Sequence, residues 1–272
     1  MYEFSYLKPE TLEAARSAFE AHEGARYMLG GHTLLPAMKA RLAAPEALID
    51  LAGIPELKGI GRTGGTISIG AAETHFDVSR NSELHAALPA LAALAGSIGD
   101  PQVRHRGTIG GSLANNDPAA DYPSALLALA GTVRTDRRAI PADDYLQGLY
   151  ETALEEGEIV TRIDFPVVPF AAYAKFLHPA SRYPMVGVFV ARHEDGEIRV
   201  AVTGSGSDGV FRCTEIEAAL EADFSADALE GLALDPDLFM SDIHGSADYR
   251  AALVPVMARR ALRAPGTASI YK

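Results

Sequence analysis

Two short loops, each centred on a glycine pair, constrain this 272-residue chain more than any other feature. The first, Leu29-Gly30-Gly31-His32-Thr33-Leu34, ends the apolar run "ARYML". The second, Thr108-Ile109-Gly110-Gly111-Ser112, also follows an extended stretch. Glycine lets a backbone turn sharply and approach a ligand with no Cβ in the way. Successive N–H groups can then converge on an anion, with a Thr or Ser hydroxyl as a further donor. One such pair is more often a turn; two, with matching polar followers, point to a diphosphate ligand. Neither loop carries G-x-G-x-x-G or G-x-x-x-x-G-K-[ST], which argues against the Rossmann and P-loop folds.

Charge and cysteine usage narrow the classes further. With 24 basic and 36 acidic residues the net charge is −12, which argues against a nucleic-acid binder. An anionic cofactor stays open, because a few oriented N–H groups suffice to hold one. The single cysteine, Cys213, allows no internal disulfide and no iron–sulfur cluster, so any redox chemistry must come from an organic cofactor. Cys213 itself reads as a buried apolar residue. The eight histidines show no H-x-x-x-H spacing, and no metal site is expected. No Ser-His-Asp or paired-carboxylate arrangement marks a catalytic side chain. The apolar stretches are too short to span a membrane, and the first residues lack signal-peptide character, so a cytoplasmic location is expected.

Periodicity predicts a helix over residues 11–22 closed by Gly24, a strand entering the first glycine pair, and a short helix from Leu34 to about Leu42. "EALIDL" and "EIVTRIDFP" read as strands, Gly64-Gly65 as a hairpin turn, and "SELHAALPALAALAGSI" as helical. No repeated βα unit is visible. A composition shift between Pro166 and Phe170 suggests a domain boundary, followed by strands turning at Glu194-Asp195-Gly196, a loop, a helix and two further helix-like stretches. Asp121 stands just before a helical run, where it would either cap the helix or, in a functional role, accept a bond from a ribose hydroxyl or anchor the loop. "RTDRR", residues 134–138, reads more often as a solvated turn than as a docking patch, with contact to an acidic partner surface as the alternative.

"LGGHTLLPAMKARLAAPEALIDLAGIPELKGI", "RGTIGGSLANNDPAADYPSALLAL", "EIVTRIDFP" and "YAKF" occur in this order and at fitting separations. Together they closely resemble the flavin-binding medium subunits of molybdenum hydroxylases, the family of carbon monoxide dehydrogenase and xanthine dehydrogenase. The likeness covers nearly the whole chain. It implies an α+β fold: a vanillyl-alcohol-oxidase-type FAD-binding domain in two subdomains, residues 1–56 and 57–168, then a smaller α+β C-terminal domain of sheet and helices, residues 169–272. By resemblance, Leu29, Gly30, Gly31, His32, Thr33 and Leu34 wrap the FAD diphosphate, and Thr108, Ile109, Gly110, Gly111 and Ser112 form a second clamp. Ile98 lines the cleft, Asp121 lies near the ribitol or ribose, and Val160 packs on the adenosine side. Lys175 touches the flavin part, with Tyr183 as a flavin neighbour.

Ser112 departs from the asparagine that many relatives carry, which shortens its reach. The cofactor is expected to be noncovalent, although some related oxidases bond flavin to the histidine of a similar Gly-Gly-His motif. The implied function is electron transfer rather than substrate oxidation. A small subunit with two [2Fe–2S] clusters and a large molybdenum-cofactor subunit are the expected partners, in a dimer of heterotrimers that delivers electrons to an external acceptor. The alternative is a stand-alone FAD-dependent oxidase of a small organic substrate.

Overall fold

The first fifty residues alternate strand and helix in a computed structural model that describes residues 1–271. β1 (Ser5–Leu7), α1 (Leu12–Glu20), β2 (Arg26–Met28), α2 (Leu34–Lys39) and β3 (Ala47–Asp50) form a parallel sheet in the order β1-β3-β2. This is a βαβαβ unit, which corrects the expectation that no βα repeat is present. β1 and β2 span three residues each, too few to register as a period. α1 forms where predicted because the Thr11 side chain caps it, its oxygen accepting from the Ala14 N–H at 3.1 Å. Ala15 then seats against Ala47 and Ile49 of the sheet, with Leu12 and Phe19 around them.

The next stretch carries β4 (Ile60–Thr63), β5 (Thr66–Gly70), α3 (His75–Arg80), α4 (Ser82–Ala87), α5 (Pro89–Gly96), α6 (Pro101–Arg104), α7 (Ile109–Asn115) and α8 (Tyr122–Ala128). It continues with β6 (Thr132–Thr135), β7 (Ala139–Pro141), α9 (Ala142–Tyr145), β8 (Leu146–Gly148), β9 (Glu151–Thr152) and β10 (Val160–Pro166). The second sheet is antiparallel, in the order β4-β5-β10-β6-β7, and its hairpin turns at Gly64-Gly65 as predicted. The long helical stretch is split at Leu88, because Pro89 disfavours helical geometry in the residue before it. Residues 134–138 are not simply a solvated turn. Arg134 pairs with Asp164 at 2.7 Å, Arg138 with Glu158 at 2.9 Å and Arg137 with Glu155 at 3.3 Å, tying the β6 turn to β10 and the segment before it.

β11 (Phe170–Leu177), β12 (Pro184–Arg192), β13 (Ile198–Thr203), β14 (Phe211–Arg212), α10 (Thr214–Ala222), α11 (Ala247–Leu262) and β15 (Ala268–Tyr271) complete the chain. The third sheet runs β14-β13-β12-β11-β15, antiparallel except for β15, which lies parallel to β11. Only one long helix follows α10, where two helix-like stretches were expected, and β15 was not foreseen. One face of this sheet packs Val186, Val188, Val200 and Val202 against Ile216, Val254 and Met257. The other face sends Tyr173, Phe189, Ala191 and Ala201 into the core of the second sheet and its helices. Cys213 is buried, as the sequence suggests, and burial pushes its thiol up to about 12.

Candidate cofactor site

β2 delivers the chain into the first glycine loop, and the second loop meets it backbone to backbone. A Cβ on Gly30 would lie 2.8 Å from the Gly107 Cα, so only glycine allows this approach. Gly31 follows with φ +71°, a left-handed turn that directs the chain into α2. The first hydrogen bond of that helix runs from the Leu35 N–H to the Gly31 carbonyl at 3.0 Å. Among the described residues, no acceptor takes the N–H of Gly30, Gly31, His32, Thr33 or Leu34. The Thr33 side chain caps nothing, and both it and His32 are exposed. Five successive unengaged donors on a loop with two glycines are the groups that an anion cradle would use.

The second loop is built differently. Thr108 caps α7, its hydroxyl oxygen accepting from the Gly111 N–H at 3.1 Å. The Ile109 N–H donates to the Glu73 carbonyl at 3.1 Å, that of Gly110 to Ala71 at 3.0 Å and that of Ser112 to Thr108 at 3.0 Å. The reading in which both loops aim runs of free N–H groups at the anion is therefore corrected: the N–H groups of Ile109, Gly110, Gly111 and Ser112 are engaged inside the protein. Its part is shape and contact, with Gly111 close beside Leu29, a Cβ there lying 3.9 Å from the Leu29 Cβ. Ser112 adds a hydroxyl bonded to no other described residue. Beneath the loop sits His75, whose N–H donates to the Gly107 carbonyl at 2.9 Å. Burial first, then the His32 and Arg104 charges, push its imidazole down to about 3, so it is neutral. Its Nδ1 and the nearby Tyr122 hydroxyl are both buried without partners. Nothing in the sequence singled out His75, because support of a loop from below leaves no local pattern.

Beyond α7 the site turns polar and deeply buried. Asp121 does not cap α8, which overturns the capping alternative. Its Oδ1 accepts from the Tyr173 hydroxyl at 2.8 Å and from Lys175 Nζ at 2.8 Å. Lys175 is completely buried and also donates to the Ser97 carbonyl at 3.0 Å. The structure thus brings Asp121, Lys175 and the Ser97-Ile98 turn together from sequence positions far apart. An ammonium has three donors, so one N–H of Lys175 remains after these two bonds. Tyr173 was missed, though a signal existed: residues two apart on a strand share a face, and Lys175 was already singled out.

Val160 and Tyr183 lie outside this cluster. Val160 is buried in β10 opposite Thr135, inside the core shared with Ile163 and Phe165. Tyr183 is 51% exposed and stands on the rim of a cavity of about 360 Å³ beside residues 117–119, the turn that links α7 to Asp121. Desolvation, with Asp117 and Asp121 nearby, raises its phenol above the ordinary value. A larger cavity of about 530 Å³, lined by Arg16, Phe19, Tyr27 and Arg137 among others, involves the start of β2 rather than the glycine loop at its end.

The donor set suits a bound diphosphate with a polar organic body: free N–H groups, two unengaged hydroxyls, and a buried ammonium–carboxylate–phenol cluster past the clamp. A metal ion finds no such set, since no group of three or more His, Cys, Asp or Glu side chains could hold one among the described residues. Fold and site together define an α+β chain whose first sheet ends in a glycine loop with unengaged N–H groups, a donor set that suits a diphosphate-containing organic cofactor. The chain belongs to the family of FAD-binding domains in molybdopterin dehydrogenases, which residues 2–168 match. It is 35% identical to the carbon monoxide dehydrogenase medium chain of Hydrogenophaga pseudoflava over 96% of each chain. It is 34% identical to the nicotine 6-hydroxylase medium subunit of Paenarthrobacter nicotinovorans, over 94% of this chain and 95% of that one. In three dimensions it is similar to reconstituted CO dehydrogenase from Oligotropha carboxidovorans, with a TM-score of 0.87 and 33% identity, covering 96% of this chain and 97% of the other. Among the described residues no helix is long and apolar enough to cross a membrane.

Proposed function

We propose that this chain is the FAD-holding electron-transfer subunit of a molybdenum hydroxylase. It receives electrons from a [2Fe–2S] partner subunit and passes them to an external acceptor. It works in the cytoplasm beside a large molybdenum-cofactor subunit, in a dimer of heterotrimers. Residues 1–56, 57–168 and 169–272 act as its two cofactor-binding subdomains and its C-terminal domain. The observation that carries the reading is the run of five unengaged N–H groups from Gly30 to Leu34 on the glycine loop. Its similarity to proteins named as medium chains and subunits favours it over a stand-alone oxidase.

The flavin supplies the redox chemistry when bound; the protein orients it and tunes its surroundings. Gly30, Gly31, His32, Thr33 and Leu34 hold the diphosphate through their N–H groups, with Leu29 closing the loop. Thr108, Ile109, Gly110, Gly111 and Ser112 form the opposing wall. Ile98 lines the cleft, Val160 packs on the adenosine side, and Tyr183 neighbours the flavin. Asp121 and Lys175, buried against the Tyr173 hydroxyl and the Ser97 carbonyl, hold the Ser97-Ile98 side of the cleft in place behind the cofactor. The cofactor is noncovalent, and no side chain of this subunit acts as a catalytic acid or base on the enzyme's substrate.

The test is an absorbance spectrum of the purified protein before and after acid precipitation, with FAD added to any colourless fraction. Flavin bands that move to the supernatant support the proposal. Colour held in the pellet means attachment at His32 and favours the oxidase. A chain that takes up no flavin even alongside its partner subunits refutes the cradle.

A further inference from the structure

A series of close contacts links the two glycine loops to the ring of His75. Gly30 leans on the backbone of the second loop's approach, where a Cβ would lie 2.8 Å from the Gly107 Cα. Gly107 in turn lies against the imidazole, since a Cβ there would stand 2.6 Å from His75 Nε2 and 2.9 Å from Cδ2. Only glycine at both positions allows this stacking of loop on loop on ring. The segments carrying His75 and Gly107 are tied together by the bridge between Thr74 and Thr108 and by the His75 N–H, which donates to the Gly107 carbonyl at 2.9 Å. The ring also meets Tyr122, with centroids 5.4 Å apart and planes tilted by 48°. His75 is thus fixed at the seam where the two loops touch.

Its two ring nitrogens have different surroundings. Nδ1 is sealed from solvent and has no partner. Nε2 has no partner among the described residues either, but it is not sealed, so the 5% of His75 that stays open includes it. Burial first, then the charges of His32 on the first loop and of Arg104, push the imidazole down to about 3, which leaves a single ring proton to place. The Tyr122 hydroxyl decides where. It is sealed and without a partner, and burial first, then the Asp121 charge, keep its proton on. A buried O–H needs an acceptor, and Nδ1 is the unsatisfied acceptor on the ring that Tyr122 touches. A direct bond and a single bridging water give the same assignment, because the water's own hydrogens then point at Nδ1. With Nδ1 accepting, the proton of the neutral ring sits on Nε2. His75 therefore offers one N–H donor at the seam.

We propose that His75 donates its Nε2–H to the cofactor's diphosphate at the seam of the two loops, and that Tyr122 is the positioning residue that fixes the tautomer. The inference rests on the FAD reading. On the first loop the N–H groups of Gly30 to Leu34 are unengaged, whereas those of Ile109, Gly110, Gly111 and Ser112 are spent inside the protein. His75 supplies, from the second loop's side, the donor that its backbone withholds. A neutral donor suits the place. A buried Lys or Arg would need a counter-charge whenever the cofactor is absent, while an open imidazole N–H is served by solvent. Against a phosphate oxygen the same N–H makes a charge-assisted bond, stronger than one between neutral groups.

The experiment uses the full chain stripped of flavin, with nitrogen-15 in its histidines, and FAD, ADP and adenosine as probes. The His75 signals are identified by their loss in His75→Gln. Before any ligand is added, Nδ1 should resonate as an unprotonated nitrogen and Nε2 as a protonated one. FAD and ADP, which share the diphosphate, should both shift Nε2; adenosine, which lacks it, should not. His75→Leu should weaken FAD binding roughly thirtyfold, the ~2 kcal/mol of a hydrogen bond to a charged group. His75→Gln, which keeps an N–H donor, should restore affinity to within about threefold. Tyr122→Phe should give signals of both tautomers and an affinity between these two. A protonated Nδ1, an Nε2 signal unmoved by FAD, or FAD bound equally well by His75→Leu and wild type would each overturn the inference. Equal losses in His75→Leu and His75→Gln would do the same, since they mark a role in packing alone. The wild-type signals decide the case even where His75→Leu does not fold. Wild type that takes up no FAD marks failure of the cofactor reading, and wild type that takes up FAD with Nε2 unmoved marks failure of this one.

Discussion

The Asp121–Lys175 pair gives the sharpest test of how the site is held. Lys175 is fully buried and its Nζ makes two bonds, one to the Ser97 carbonyl and one to Asp121 Oδ1. Asp121→Asn strands a buried ammonium with no counter-charge. Lys175→Met strands a carboxylate held by the Tyr173 hydroxyl alone. Breaking a buried pair from one side costs about 3–5 kcal/mol, mainly because the remaining charge is unpaired. For a chain of this size that corresponds to a fall of roughly 10 °C in melting temperature. The double variant D121N/K175M carries no stranded charge, and we expect it to recover roughly 2 kcal/mol or more of the summed single losses. The assay is urea and thermal unfolding of the flavin-free chain, because bound ligand adds its own stabilisation and would mask the difference. Lys175→Met melting within about 2 °C of wild type, or single losses that simply add in the double variant, would refute the argument that the two charges depend on each other.

Gly110→Ala should detach α7 from the second sheet, since a Cβ there would lie 2.7 Å from the Ala71 carbonyl oxygen that accepts the Gly110 N–H. Overpacking of this kind costs about 1–3 kcal/mol; FAD titration should show affinity about tenfold weaker or worse, while Gly65→Ala, where a Cβ meets nothing within 4 Å, serves as the neutral control. Acid should weaken the fold in two stages. His75, held neutral down to about 3, contributes stability above its unfolded value of 6.5 that is lost progressively as pH falls from there toward 3. Burial acts upward on Glu158, but Arg138, the Glu155 N–H and the Thr135 hydroxyl together bring it down to about 2, so its contribution is lost later, between 4.5 and 2. Arg138 is 41% exposed, so screening limits the Glu158 share to on the order of 1–2 kcal/mol. Unfolding free energy measured from pH 7 to 3 should show the upper stage vanish in His75→Gln; an unchanged profile in that variant would remove His75 as its cause.

The two loops were legible because their demand is local: a backbone that must turn and touch another backbone announces itself as glycine. Long strands with a proline stop, such as β10, were legible for the same reason. What escaped depends on distance along the chain. β1 and β15 are short strands whose pairing partners lie far away in sequence, and β15 joins β11 only after the chain has crossed α11. The Ile109 and Gly110 donors of the second loop were misjudged because their acceptors, Glu73 and Ala71, come from the β5–α3 connection rather than from the loop. Asp121 read equally as a cap or as a loop anchor because the sequence shows only its helix, whereas its partners, Tyr173 and Lys175, arrive from a strand of another sheet. His178 and His244, whose ring nitrogens stand 3.2 Å apart, illustrate the same limit: a spacing rule can find ligands on one helix but cannot find two rings joined by the fold.

The site also joins parts of unequal stability. The second and third sheets share one core through Tyr173, Phe189, Ala191 and Ala201, so they cannot part without exposing it. The first sheet rests on smaller clusters, one of which reaches the second sheet's connections through Leu57, Ala72 and Ile159. The N–H cradle stands on this less strongly anchored part, and the opposing wall stands on the other. A diphosphate bound between them adds contacts that neither part makes alone, so FAD should stabilise the first sheet more than the rest. Amide hydrogen exchange with and without FAD tests this: protection should rise chiefly in β1, β2 and β3, by more than it does in β11 and β12, whose core is already complete. Equal gains everywhere would mean that the three sheets open as one unit, and that the cradle is as firmly built without its ligand as with it.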